Sequence, residues 1–275
     1  MTEPAPQAQP DASPPTPIAA ITRKVALHGS FATQKTLQIA HLIDRFGADS
    51  VVVISGEKGL GTIESKMATV PAANIIPVAT FDEFRAAIKT VVDHHNTPDK
   101  WVCIDGATRI LKWEINRYIT EVDRIHDIVA RGETVHKDDV IYKRFISKEK
   151  NIDTVKIYGH FGIICERLWS MIVNMGCNFY VNFLSDETKN DDRTKKPPFG
   201  PDVPGNMGLK AVMSSFDFTL ALYYDAAHQL IARTQPSGMY LARTREDRAA
   251  GIVIPEEIVG FDLAEFVDLI NGGRK

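Results

Sequence analysis

The chain has few of the features that staple, anchor or strongly polarise a protein. It has three cysteines in 275 residues, Cys103, Cys165 and Cys177, each alone among apolar neighbours and none in a C-x-x-C pair. That argues against a disulfide framework or a thiolate zinc site and fits buried thiols in a reducing compartment. The histidines show no metal-ligand spacing: His94 and His95 close a helical pattern and the rest are scattered. No apolar run reaches the roughly 18 residues that span a bilayer. The first residues lack the apolar core of a secretory signal and the cations of a mitochondrial one. A cytoplasmic protein without a membrane partner is therefore expected. Charge of one sign is missing too. The net charge of −3 gives no global polyanion-binding signature, so any nucleic-acid contact must come from a local basic segment.

The length and a hydrophobic content of 44% are enough for one large α/β domain with appendages. Residues 1–20 hold six prolines among Ala, Gln, Thr and Ser, a composition that cannot bury enough surface to fold, so a disordered tail is expected ahead of a domain over 21–275. From Thr22 onward, short apolar runs alternate with helical patterns, which predicts a mainly parallel sheet with crossover helices. Strands are expected at Val25–His28, Val51–Ile54, Asn74–Val78, Trp101–Ile104 and Asn178–Leu184. Helices are expected over about 35–46, with Gly47 as the stop, from the capping box at Thr80–Glu83 through about His94, and over about 160–175. Two segments break the rhythm: the charged stretch 131–157 and the Gly/Pro-rich, charged stretch 185–209, which is too long for a mere connector. Beyond them, Phe216–Tyr224, His228–Thr234 and Met239–Thr244 suggest an antiparallel extension of the sheet, and Asp262 opens a short C-terminal helix.

The strand at Val25–His28 runs into Gly29-Ser30-Phe31-Ala32-Thr33-Gln34-Lys35-Thr36. This meets the phosphate-loop pattern G-x-x-x-x-G-K-[ST] at Gly29, Lys35 and Thr36, with Gln34 in place of the second glycine. In such a loop, backbone N–H groups and a helix N-terminus surround a phosphate chain, the lysine neutralises it and the hydroxyl completes a magnesium shell. Gln34 could be tolerated at positive φ for about 1 kcal/mol, or could crowd the phosphates. Trp101-Val102-Cys103-Ile104-Asp105 has the form of a Walker B strand, whose Asp105 would share the metal with Thr36. Val51–Ile54 leads to Glu57, a carboxylate placed to orient and deprotonate an attacking water. Each has a plainer reading: a solvated lysine, a helix-capping aspartate, a surface glutamate in a turn.

In motif order (loop, strand with Glu, strand, Walker B, long flexible loop, late antiparallel strands), residues 22–246 resemble the RecA-like ATPase core, and more narrowly the phage-encoded short RecA-like ATP-binding proteins that anneal single strands. The resemblance implies ATP and Mg2+ as ligands, with the roles above for Lys35, Thr36, Glu57 and Asp105. It places Ser185 where a polar residue senses the terminal phosphate. It also implies that 185–209 is a DNA-binding loop, in which Lys189, Arg193, Lys195 and Lys196 could neutralise phosphates and Phe199 could stack on a base, with Asp186, Glu187, Asp191 and Asp192 as offsetting charge. Arg243 and Arg245 fall where such assemblies carry basic residues across a subunit interface. A polar strand edge protected by charge is the plainer reading. The partners implied are single-stranded DNA, further copies of the chain in a ring or filament, and a single-strand DNA-binding protein, in the host cytoplasm if phage-encoded. Two functions stay open: an ATPase stimulated by single-stranded DNA in recombination or replication, and a non-hydrolysing annealing or scaffold protein with a degenerate loop. A packaging or helicase motor would need translocation elements not identified in the chain.

Overall fold

The computed structural model describes residues 22–57, 59–135, 144–146, 151–187, 198–245 and 252–272. The expected tail at 1–20, much of the charged stretch 131–157 and the cations Lys189, Arg193, Lys195 and Lys196 lie outside them.

The strands are β1 (Lys24–Gly29), β2 (Val51–Ser55), β3 (Ile75–Pro77), β4 (Trp101–Asp105), β5 (Asn178–Glu187), β6 (Phe199–Pro201), β7 (Phe218–Tyr224), β8 (Leu230–Arg233), β9 (Arg243–Thr244) and β10 (Glu257–Val259). The helices are α1 (Leu37–Phe46), α2 (Glu64–Met67), α3 (Phe81–His94), α4 (Ala107–Ala130), α5 (Thr154–Val173), α6 (Gly205–Ser215) and α7 (Leu263–Ile270). The sheet runs β10-β8-β7-β1-β5-β4-β2-β3, with β6 on β5 and β9 on β7. Strands β3, β2, β4, β5, β1 and β7 are parallel, whereas β8, β9 and β10 add antiparallel pairings. This is the mainly parallel α/β sheet with crossover helices that the sequence predicts, with β5 inserted between β1, which leads into the loop at Gly29, and β4, which ends at Asp105.

Both faces of the sheet are covered, and the period of two along each strand divides the core. Val25, Leu27, Val51, Val53, Trp101 and Cys103 face α1, α2 and α7. Ala26, Val52, Ile54, Val102, Ile104, Phe179, Val181 and Phe183 face α3, α4, α5 and α6. Trp169, fully buried, meets the rings of Phe183 and Phe216 on that second face.

Several expectations change. Strand β7 continues the parallel set, pairing Val25 with Phe218 and Gly29 with Leu222, so the antiparallel extension begins only at β8. The return through α6 is a full crossover, which permits the parallel pairing. Helix α1 starts at Leu37, two residues late, because the loop holds Lys35 and Thr36. Helix α5 starts earlier than expected, at Thr154, where the Asp153 carboxylate accepts from the Lys156 N–H. Helix α4 occupies a stretch in which no element is expected. Around α3, Thr80 accepts from Glu83 N–H as the capping box requires, but the Glu83 carboxylate reaches back to the N–H of Ala79. Gly47 ends α1 at φ +87°, and Asp262 caps α7 through the N–H groups of Ala264 and Glu265, both as expected.

Candidate functional site

Parallel strands present their carboxyl ends, and the loops that follow them, at one edge of the sheet. There β1 delivers the loop Gly29–Thr36, β2 delivers Glu57, and β4, across the inserted β5, delivers Asp105. The loop and Glu57 line a cavity of about 440 Å³ whose walls include residues 31–37, Gly59, Thr62 and Leu184, and Asp105 is buried behind Thr36. A larger concavity of about 840 Å³ lies among α3, α4 and α5 and contains none of the loop residues.

Gly29 is glycine for a steric reason: a Cβ there would lie 2.4 Å from Thr33 Oγ1 and 2.8 Å from the Leu222 carbonyl oxygen. The loop then turns through Ala32 at φ +63° and Gln34 at φ +53°. Gln34 thus holds a left-handed backbone that glycine would take without strain. Its side chain leaves the cradle, donating from Nε2 to the Tyr224 hydroxyl at 2.9 Å, so it does not crowd the loop interior. The Lys35 ammonium donates to the carbonyls of Gly29 (2.9 Å) and Ser30 (2.6 Å) and to Thr33 Oγ1 (3.2 Å). Burial lowers its pKa to about 8, against the opposing pull of Glu57 and Asp105. The Lys35 carbonyl accepts from the buried Tyr180 hydroxyl at 2.6 Å, which pins the loop's exit.

Thr36 stands at the N-cap of α1, yet its side chain makes no capping bond. Its hydroxyl donates instead to Asp105 Oδ1, 3.0 Å away and 69 residues on. Asn182 of β5 donates to the same oxygen at 2.5 Å, while its own Oδ1 accepts from the Gly106 N–H at 2.7 Å. Asp105 is 1% exposed, and its second oxygen, Oδ2, is buried with no hydrogen-bond partner. Burial raises its pKa, while the bonds from Asn182 and Thr36 and the charge of Lys35 lower it. Gly59 closes over this pair, and a Cβ there would stand 3.3 Å from Thr36 Oγ1 and 3.4 Å from Asp105 Oδ2. An orphaned carboxylate oxygen beside a threonine hydroxyl is the hard-oxygen donor set that suits magnesium. Among the described residues no group of three or more His, Cys, Asp or Glu could hold a metal, so a cation here would complete its shell with water or ligand oxygens.

Glu57 lies against the bare face of Gly106, where a Cβ would fall 2.4 Å from Glu57 Cγ. Burial and the charge of Asp105 raise its pKa, with Arg109 and Lys35 opposing. The site therefore pairs a cation of lowered pKa with two carboxylates of raised pKa, an arrangement common where proton or phosphoryl chemistry occurs.

Other sequence candidates are placed elsewhere. The Ser185 hydroxyl is within 2.7 Å of His28 Nδ1, and His28 Nε2 is 2.7 Å from the Leu241 carbonyl. Since that carbonyl can only accept, Nε2 carries the proton and Nδ1 accepts from Ser185. Burial takes the His28 pKa down to about 4, so the ring is a neutral structural link. Arg243 and Arg245 lie at the amino end of β7, the opposite end of the sheet from the loop: Arg243 donates to the Met213 carbonyl, and Arg245 pairs with Asp217 at 3.1 Å. Within one chain they do not join the site. Phe199 is half-buried in β6, with its ring centroid 6.0 Å from that of Tyr240. Asn182 and Tyr224 were not legible as site residues. A polar Asn amid the apolar run of β5 was the available signal for the first.

No family model matches the chain, and no curated protein matches it. Among solved structures, one match is a protein described as a prototypical ATPase from the type III secretion system of pathogenic bacteria. It is 13% identical at a TM-score of 0.39, over 74% of this chain and about half (52%) of that one. Among the described residues, no helix is long and apolar enough to cross a membrane.

Proposed function

We propose that the chain is a magnesium-dependent ATP-binding protein that hydrolyses ATP at the loop Gly29–Thr36. The observation that carries this reading is the meeting of Thr36 Oγ1 with Asp105, whose second oxygen is buried and unpartnered, beside the loop that holds Lys35. In this reading Lys35 exchanges its bonds to the loop carbonyls for bonds to the β- and γ-phosphate oxygens. Thr36 and Asp105 hold the magnesium ion, which supplies charge neutralisation on the phosphates. Glu57 orients a water and takes its proton as the water attacks in line, and its raised pKa suits that task. Asn182 is a positioning residue that fixes Asp105 and the Gly106 turn.

The test is MgATP binding and turnover by the full chain beside Lys35→Ala. Turnover lost in a variant that unfolds like the parent supports the enzyme, whereas unchanged turnover would sink it. Wild-type binding without turnover would favour the non-hydrolysing module. The finer proposal, that single-stranded DNA contacted through 185–209 stimulates turnover, rests on the basic and aromatic sequence of that segment. Turnover with and without an oligonucleotide decides it.

A further inference from the structure

The loop contains an unusual backbone feature. Apart from His228, Ala32 and Gln34 are the only non-glycine residues with positive φ among those described, and both lie in this loop. Each costs on the order of 1 kcal/mol relative to a relaxed backbone, so something must hold them there. One group touches both. The Tyr224 hydroxyl, at the carboxyl end of β7, accepts from Gln34 Nε2 at 2.9 Å and donates to the Ala32 carbonyl at 3.3 Å.

Building on the nucleotide reading above, we propose that Tyr224 is a positioning residue for phosphate binding: a latch that holds the left-handed loop in its binding shape through Gln34. Alternation of left- and right-handed residues turns successive N–H groups to one concave side, the form of an anion-binding nest. Glycine adopts that shape without help, but a side chain at position 34 needs an anchor. Tyr224 reaches the loop from β7, and β7 is in parallel register with β1 at Gly29↔Leu222, so a rigid sheet fixes the anchor relative to the loop. The substitution at the glycine position is thus one half of a pair, and the hydroxyl is the other half. Tyr224 is itself 39% exposed, so removing its oxygen leaves no buried polar group unsatisfied and little of the core disturbed.

The experiment is a double-mutant cycle on the full chain: wild type, Tyr224→Phe, Gln34→Gly and the double variant. Kd for MgATP is read by calorimetry, and the rate of tryptic cleavage after Lys35 is read without nucleotide. Loss of the hydroxyl weakens MgATP binding by about fivefold, the equivalent of one net hydrogen bond, and speeds cleavage after Lys35, with the unfolding midpoint unchanged. In the Gln34→Gly background, where only Ala32 is left for the anchor to hold, the same loss changes Kd by about twofold or less. A Tyr224→Phe variant matching the wild type in both Kd and cleavage overturns the latch, as does an equal effect in both backgrounds. Failure of the wild type to bind MgATP overturns the nucleotide reading instead. The Lys35 cleavage rates then decide the latch on their own: faster in Tyr224→Phe supports it, and unchanged rejects it.

Discussion

Asp105→Asn is expected to make the nucleotide-free protein more stable while removing its response to MgATP. The carboxylate is 1% exposed, and its Oδ1 takes both hydrogen bonds the site offers, from Thr36 and Asn182. Its Oδ2 has none. An unsatisfied buried polar atom costs about 1–3 kcal/mol, and more when charged. Asparagine keeps an oxygen at Oδ1 for both donors and exchanges the charged orphan for a neutral amide, leaving a gain of roughly 1 kcal/mol. For a chain of this size that raises Tm by about 2–4 °C. The same exchange removes the anionic oxygen available to magnesium, so MgATP, which raises the wild-type Tm by mass action, should leave the variant unmoved. Scanning calorimetry at pH 7.5 in EDTA and in excess MgATP measures both. A lower Tm for the variant in EDTA would show that Asp105 is held for stability, through Lys35 or otherwise. An equal MgATP shift in both proteins would remove the metal role.

Nucleotide affinity should fall as pH rises through about 8. Lys35 in the free protein titrates near there, and a polyphosphate beside it raises that pKa, so above pH 8 binding must take up a proton. The free lysine is about nine-tenths protonated at pH 7 and about one-tenth at pH 9, giving a roughly tenfold loss in affinity. Lys35→Arg flattens that profile over the same range, and a wild-type Kd constant from pH 7 to 9 would contradict the assignment. Gly106→Ala places a methyl 2.4 Å from Glu57 Cγ at a residue with φ +82°, and should cost about 1–3 kcal/mol in urea unfolding while lowering kcat more than it raises Kd for MgATP. Asn182→Ala leaves the Gly106 N–H unpaired and Asp105 with one donor fewer; a loss of about 1–3 kcal/mol is expected by the same unfolding measurement.

What could be read in advance was local. The βα context of Gly29–Thr36, the apolar strands before Glu57 and Asp105, and the caps at Thr80 and Asp262 all follow from short-range patterns, and each lies where the pattern puts it. The parallel pairing of β7 was not legible, because an alternating strand looks the same whichever neighbour it meets; the crossover through α6 decides its direction. Nor was the support of the site. Asn182 reaches Asp105 across 77 residues and Tyr224 reaches Gln34 across 190, contacts set by strand order alone. Nor was the position of Arg243 and Arg245 legible: pairing with the first residues of β7 puts them at the end of the sheet opposite the loop, so any phosphate they reach belongs to another copy of the chain.

Several departures from good local folding meet around this one loop. Ala32 and Gln34 hold left-handed backbone without being glycine, Thr36 occupies an N-cap and caps nothing, Asp105 buries an unpaired oxygen, and Lys35 is held at a lowered pKa. The expected remedies are simple: glycine at 34, a hydroxyl turned back to its own helix at 36, an amide at 105. Each would stabilise the chain by about 1 kcal/mol or less; two need a single substitution and the third only a rotation of the Thr36 side chain. A fold that brings these departures together around one loop, while α3, α5 and α7 carry side-chain caps, has them for a reason other than stability. On the proposed reading a polyphosphate with its magnesium ion would answer them together: the phosphates would pair with the Lys35 ammonium, the ion with the Asp105 oxygen, and the Thr36 hydroxyl would have a use that a helix cap could not serve.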